Sequence, residues 1–311
     1  MMMKRTLTAM LFAAGIAAGQ SNLSTTGVPW LGWIFDGEAR ALRPITGIPM
    51  SALMGDKVEL DLSLAVGSPE GTFALGVAAN DGRVLVVDGG GSAELAGAKA
   101  NPTRIVMSAR GRVAALYFEE GNGIQIFDGL PGSGRLVQEL TLDGKPGALA
   151  VDDAAGTVLA SLEGGLYGYS AEQGKKLLVP SSEVMEAGFL AGSSDLVAVD
   201  GTRVILVRNG QATELTIHMT AQQDMVNPIK AAVSADGRRL VVLLKQGSLV
   251  IRDLKANTNK MLQCYCAAGE LTRLRGNSVF RLNSMKDGTV WLVNGDEDEP
   301  QVTFVAMRGG N

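Results

Sequence analysis

The chain has 311 residues, of which 46% are hydrophobic, 19% charged and 40 glycine, with a formal net charge of −4 and a single histidine. That apolar content supplies a sizeable core and excludes wholesale disorder. The acidic balance gives no electrostatic case for nucleic acid, and one histidine excludes multi-histidine metal centres.

The N-terminal residues read as an export signal. Lys4 and Arg5 precede the apolar run from Leu7 to Ala18, and the small residues Ala17 and Gly19 sit where a peptidase would cut before Gln20. The run is too short to span a bilayer, which takes about 20 apolar residues, and no other stretch approaches that length. Residues 1–19 are therefore expected to be a cleaved leader and 20–311 a single domain without a transmembrane segment, periplasmic or extracellular.

From Trp33 onward one pattern recurs: alternating apolar residues ending in a polar residue that opens a turn. Its copies are Trp33–Asp36, Leu85–Asp88, Gln125–Asp128, Tyr167–Ser170, Leu206–Asn209, Val250–Asp253 and Trp291–Asn294, and the spacings are 52, 40, 42, 39, 44 and 41. A second signal runs in another phase. Turns at Ser68–Gly71, Ser108–Gly111, Asp153–Gly156 and Ser234–Gly237 each precede an alternating run. Glycine at the turn end supplies positive φ without a Cβ clash. Each unit thus reads strand, turn, strand, short loop, third strand and fourth strand, with Arg135–Leu142, Lys175–Val179 and Met261–Tyr265 as fourth strands.

Four antiparallel strands per 40-odd residues define a β-propeller blade. The fold class is all-β. Complete units fall near 57–101, 102–144, 145–182, 183–224, 225–267 and 268–309. An incomplete unit near 30–49 carries third- and fourth-strand patterns, so seven blades are expected, the first assembled across the chain ends. Six blades with an N-terminal decoration is the alternative. The run Ser234-Ala235-Asp236-Gly237-Arg238-Arg239-Leu240-Val241-Val242 resembles bacterial secreted YVTN- and WD40-like propeller repeats, although the Gly-His and Trp-Asp signatures of true WD40 repeats are absent. The resemblance implies architecture and no chemistry, because the fold hosts catalysts, sensors and scaffolds alike.

The motifs with chemical potential are few. Cys264-Tyr265-Cys266 reads as a disulfide in an exported chain, though a flat strand would hold the two Cα atoms near the limit of about 6.8 Å. Free or intermolecular thiols and a redox or metal role are its alternatives. His218 lies in Thr216–Met219 without a recognisable serine, cysteine or carboxylate partner. Asn294–Pro300 packs four carboxylates but departs from the EF-hand spacing. Ser284–Trp291 resembles the Asp-box of sialidase-type propellers, with its aspartate displaced to Asp287. Gly129–Arg135 is glycine-rich but lacks the Lys-Ser/Thr ending of a phosphate loop.

No metal, cofactor or catalytic residue is therefore assigned. The leading expectation is a non-catalytic, monomeric binding scaffold whose partner is another envelope protein or a polar ligand. Family resemblance places the loops between second and third strands on one face with the inter-blade connections. That face would carry Glu119, Glu120, Asn122, Asp200, Lys245 and Asp287, with Gln222 and Asp224 from the long connection between blades. The alternatives are a propeller enzyme, either a lactonase-like hydrolase or a quinone-dependent dehydrogenase, and a small-ligand sensor using the central channel.

Overall fold

The computed structural model describes residues 29–215, 218–220, 223–224, 227–264, 268–287, 289–296 and 298–307. Seven four-stranded sheets form a ring, so the protein is an all-β, seven-bladed propeller. Its only helical pieces among the described residues are three single 3-10 turns. Among the described residues no helix is long and apolar enough to cross a membrane.

Blades 2 to 7 follow one plan. In blade 3 the inner strand is Arg104–Met107, followed by Val113–Phe118, Gly123–Asp128 and the outer strand Arg135–Thr141, each antiparallel to the last. The alternating sequence folds this way because the second strands are covered on both faces. Val113–Phe118 is buried at nearly every position, while Arg135–Thr141 is mostly exposed. The core accordingly lies between blades rather than at one centre. Val113, Ala115 and Ile126 of blade 3 pack on Leu149, Val158 and Ala160 of blade 4, and the arrangement repeats around the ring. Burial of this kind contributes about 25 cal/mol per Å2 of apolar surface.

The turns between inner and second strands are built as the sequence implies in blades 2, 3 and 6. Gly71, Gly111 and Gly237 donate to the carbonyls of Ser68, Ser108 and Ser234 and take φ of 71°, 68° and 71°. A Cβ on Gly111 would also lie 2.9 Å from Pro69 Cδ of the preceding blade. In blade 4 the turn starts one residue earlier than its sequence signal, at Asp152, and Ala155 rather than Gly156 takes the left-handed conformation, at φ 58°.

Blade 1 closes the ring and corrects one expectation. It consists of Trp30–Asp36, Ala41–Thr46, Leu53–Met54 and, from the other end of the chain, Ala306–Met307 in parallel on Leu53–Met54. Trp30–Asp36 is not a third-strand equivalent. It starts at the turn face, where the Leu31 carbonyl accepts from Arg275, and ends at the opposite face, where the Arg40 carbonyl accepts from Leu62. That is the sense of the second strands elsewhere. The outlying spacing of 52 between Asp36 and Asp88 has its cause here, since Asp36 and Ala78, the true counterparts, are 42 apart.

Candidate functional site

The inner strands of blades 2 to 7 line the central channel. Each leads into a turn whose first amide donates to the carbonyl five residues on, at Ser68, Ser108, Asp152, Leu190, Ser234 and Leu274. Counting back from these fixed points gives two tiers, because alternate strand residues share a face. Two residues before each turn stand Val66, Val106, Ala150, Gly188, Ala232 and Thr272, and all six line a channel cavity of about 280 Å3. Three of these are glycine or alanine, which leaves the waist open. Four residues before each turn stand Leu64, Arg104, Ala148, Glu186, Lys230 and Glu270, forming a mouth that mixes four charged residues with two apolar ones.

At the turn-face end the cavity is crossed by Arg273. Its guanidinium, 8% exposed, reaches from blade 7 to the Ala109 carbonyl in blade 3 and, at 3.3 Å, to Glu70 in blade 2. It also donates to the Gly276 carbonyl at 3.4 Å. A buried arginine with acceptors on both sides of the channel acts as a cross-brace and a floor.

The mouth is a chain of ionic groups. Lys230 pairs with Glu186 across the gap between blades 5 and 6. Arg281 pairs with Glu270 at 2.9 Å, and Lys145 pairs with Glu119 at 2.5 Å on the rim. Arg104 differs from these cations. It is half-buried, and among the described residues its one acceptor is the Gly147 carbonyl, at 2.6 Å from Nη1. Desolvation pulls it below the ordinary arginine range, with Glu186 and Tyr117 acting in the other direction. Burial in turn pushes the Tyr117 hydroxyl up, aided by Glu119. A guanidinium carries five donors in a planar fork that fits carboxylate or phosphate.

The residues singled out in the sequence do not converge on this mouth. Glu119 is tied to Lys145, and Glu120 is exposed in a 3-10 turn. Asn122 takes φ 49° and accepts from the Tyr117 hydroxyl at 2.8 Å. Asp200 is consumed by its own loop: Arg203 Nε at 2.8 Å, Thr202 Oγ1 at 2.8 Å and Ser181 Oγ at 3.3 Å all point to it. Burial raises the Asp200 carboxyl, but Arg203 and Thr202 outweigh it and hold it below 3.8. Lys245 is exposed, with its amide on the Asn227 carbonyl. Asp287 ends a 3-10 turn. Asp224 lies in the short hairpin His218–Thr220/Gln223–Asp224, which also holds His218 and rests against the outer strand Thr258–Gln263. Gln222 lies outside the described residues.

The remaining motifs have structural roles. Cys264 is buried and disulfide-bonded, while Cys266 lies outside the described residues. Among the described residues no three His, Cys, Asp or Glu side chains gather as metal ligands. In the acidic turn, Asp296 accepts from Asn277 at 2.7 Å and from the Ser278 amide at 3.0 Å. Next to the Asp-box-like segment, fully buried Asn283 holds the Trp291 amide and the Thr289 carbonyl, both at 2.8 Å. Gly129 opens the connection to the outer strand of blade 3.

Sequence reading missed Arg104, Glu186 and Lys230. Their signal was available as a charged residue opening an otherwise apolar run four residues before a turn.

The architecture places the chain among seven-bladed propellers. No family model and no curated protein matches it. A solved structure from Bacteroides fragilis NCTC 9343, described as a putative 6-phosphogluconolactonase, is similar with TM-score 0.57 at 14% identity, over 91% of this chain and 95% of that one. The Swd1 β-propeller domain of Myceliophteria thermophila aligns with TM-score 0.48 at 14% identity, over 67% of this chain and 71% of that one. A functionally unknown protein from Desulfotomaculum acetoxidans DSM 771 aligns with TM-score 0.47 at 9% identity, over 88% and 78%. At these identities the likeness is one of fold.

Proposed function

We propose that this protein is an exported binding propeller that holds an anionic ligand at the mouth of its central channel. The supporting observation is Arg104, a half-buried cation with one backbone acceptor among the described residues, beside neighbours that are each paired with a carboxylate. Removing a cation from water is costly unless an anion completes it. A carboxylate or phosphate at Arg104 does so, with the small-residue waist below to take the rest of the molecule. The expected location in the cell envelope rests on the leader pattern of residues 1–19. A protein partner on the loop face is the weaker alternative, because Glu119 and Asp200 are already engaged within the chain.

The test is binding of citrate, gluconate, glucose 6-phosphate and inorganic phosphate, followed by calorimetry or thermal shift. Arg104→Gln should weaken binding about 10- to 100-fold, the equivalent of about 1.5–3 kcal/mol for a hydrogen bond to a charged group. Equal affinity in wild type and variant removes Arg104 from the site. The lactonase described for the Bacteroides fragilis neighbour supports a second reading, in which the anion at this mouth is a substrate. Acid release from a phosphorylated sugar lactone, lost in Arg104→Gln, would replace binding by catalysis.

A further inference from the structure

A second cavity lies between blades 4 and 5, sharing Phe189 with the channel lining, and one glycine accounts for it. The residue paired with the position seven places after the first residue of each turn is equivalent in six blades. It is Val86, Ile126, Gly168, Leu206, Ile251 and Leu292 in blades 2 to 7, opposite Leu75, Ala115, Leu159, Val197, Val241 and Arg281. Val86, Ile126, Ile251 and Leu292 fill the cores that their blades share with the next one. Gly168 leaves that space to blade 5 unfilled. Glycine inside a strand weakens it and marks places where something else approaches the backbone.

The outcome is a cleft of about 510 Å3 beside Gly168, within the size range of small-molecule sites, about 300–1,000 Å3. Its floor is apolar, formed by Leu178, Phe189, Leu196 and Val207. Its rim is polar, with Ser170, Gln173 and Ser194, and its two charged residues, Glu172 and Lys176, are of opposite sign. We infer that this cleft binds an uncharged, single-ring molecule bearing a hydroxyl or amide group, its ring against Phe189 and Val207 and its polar group at the rim. An anion finds no net positive charge here, which separates this site from the channel mouth.

Gly168 has ordinary backbone geometry, so a larger side chain is limited by contacts alone. A Cβ built on it lies 3.2 Å from Leu178 Cδ1 and 3.6 Å from Thr157 Cγ2. Leu178 is half-buried at a bulge between the third and outer strands, where it has room to shift. Gly168→Val therefore restores the aliphatic residue of the other blades and closes the cleft.

The experiment is methyl NMR on the full chain, titrated with 4-methylphenol and benzamide. Saturable shifts are expected at Leu178, Leu196 and Val207, unchanged in Arg104→Gln. Gly168→Val should weaken them at least 10-fold while leaving the unliganded protein as stable as wild type or more so. Shifts that do not saturate, or that fall on channel residues such as Val66 and Val106, overturn the inference. So does unaltered binding by Gly168→Val. If that variant fails to fold, the wild-type mapping still decides, and Gly168→Ala should weaken binding by a smaller factor.

Discussion

Blade 3 and the closing blade each have four strands, reached by opposite routes. Blade 3 is contiguous from Arg104 to Thr141, with every strand hydrogen-bonded to a neighbour in sequence. The closing blade takes three strands from the start of the chain and its fourth, Ala306–Met307, from the end. Two of its strands are two residues long, and Pro44 in another has no amide to donate. Beyond the apolar core that Ile34, Ile45 and Met54 share with Val279 and Leu292, it is tied to blade 7 by single hydrogen bonds such as Thr303 Oγ1 to the Pro49 carbonyl at 2.7 Å. Bringing chain ends together costs loop entropy that blade 3 never meets. The contrast predicts that ring closure makes one blade a separable unit, opening at lower free energy than the rest.

The largest effect that tests this contrast comes from matched cavities. Ile34 and Ile126 are both buried, at 1% and 0% exposure, in the closing blade and blade 3. Either isoleucine to alanine should lower global stability by about 2–5 kcal/mol. Hydrogen exchange separates them. Ile34→Ala should speed exchange at Ile45 and Met54 by the full factor, because it destabilises the native state relative to the opened seam. Ile126→Ala should leave exchange at those two amides unchanged, since its contacts survive in the opened form. Equal acceleration by both variants would show that the ring opens only as a whole.

A smaller effect comes from charge. In the closing blade, burial pushes the Asp36 carboxyl up, but the Ala39 amide at 3.0 Å and Arg43 Nε at 2.9 Å outweigh it and hold the group below 3.8. A carboxylate depressed in this way contributes stability that is full above its unfolded value and is lost as pH falls through the folded one. Blade 3 has only an exposed pair, Asp128–Arg135 at 3.5 Å between its third and outer strands, a geometry worth at most about 1 kcal/mol. Acid below pH 3.8 should therefore loosen the closing blade before blade 3. Asp36→Asn should cost about 1–3 kcal/mol at pH 7 and abolish that early acid loosening. Denaturant titrations at pH 7 and pH 3 measure it, and an unaltered difference between the two pH values in the variant would assign the acid response elsewhere.

These contrasts show what could be seen in the sequence. Blade number and the strand order of blades 2 to 7 were legible, because turns such as Ser108–Gly111 recur in phase with apolar alternation. The closing blade was misread in phase, since Trp33–Asp36 looks like a third strand when only local pattern is considered. Its partner Ala306–Met307 is too short to carry a pattern at all. Sites were less legible than fold. Asp200 and Glu119 are acidic residues in loops, and nothing local reveals that Arg203 and Lys145 engage them. Arg104 acquires meaning only when the inner strands of different blades converge, and Gly168 only when six registers are laid side by side.

The smallest effect concerns the turn before the second strand of blade 3. Buried Ser108 Oγ accepts from the Val113 amide at 3.3 Å, beside the Ser108 amide's own bond to the Val113 carbonyl at 2.9 Å. Ser68 and Ser234 make the same side-chain contact in blades 2 and 6, at 3.3 and 2.9 Å. Leu190 and Leu274 occupy the position in blades 5 and 7, where the backbone bond persists at 2.8 and 2.9 Å without any hydroxyl. The backbone therefore makes the turn, and the serine adds a long, neutral hydrogen bond to it. Ser108→Ala should cost only about 0.5–1 kcal/mol in denaturant unfolding and leave exchange at Met54 unaltered. A loss above about 2 kcal/mol would mean that the hydroxyl, rather than the backbone pair, holds the turn, and that blade 3 owes its firmness to side-chain pins rather than to its contiguous strands.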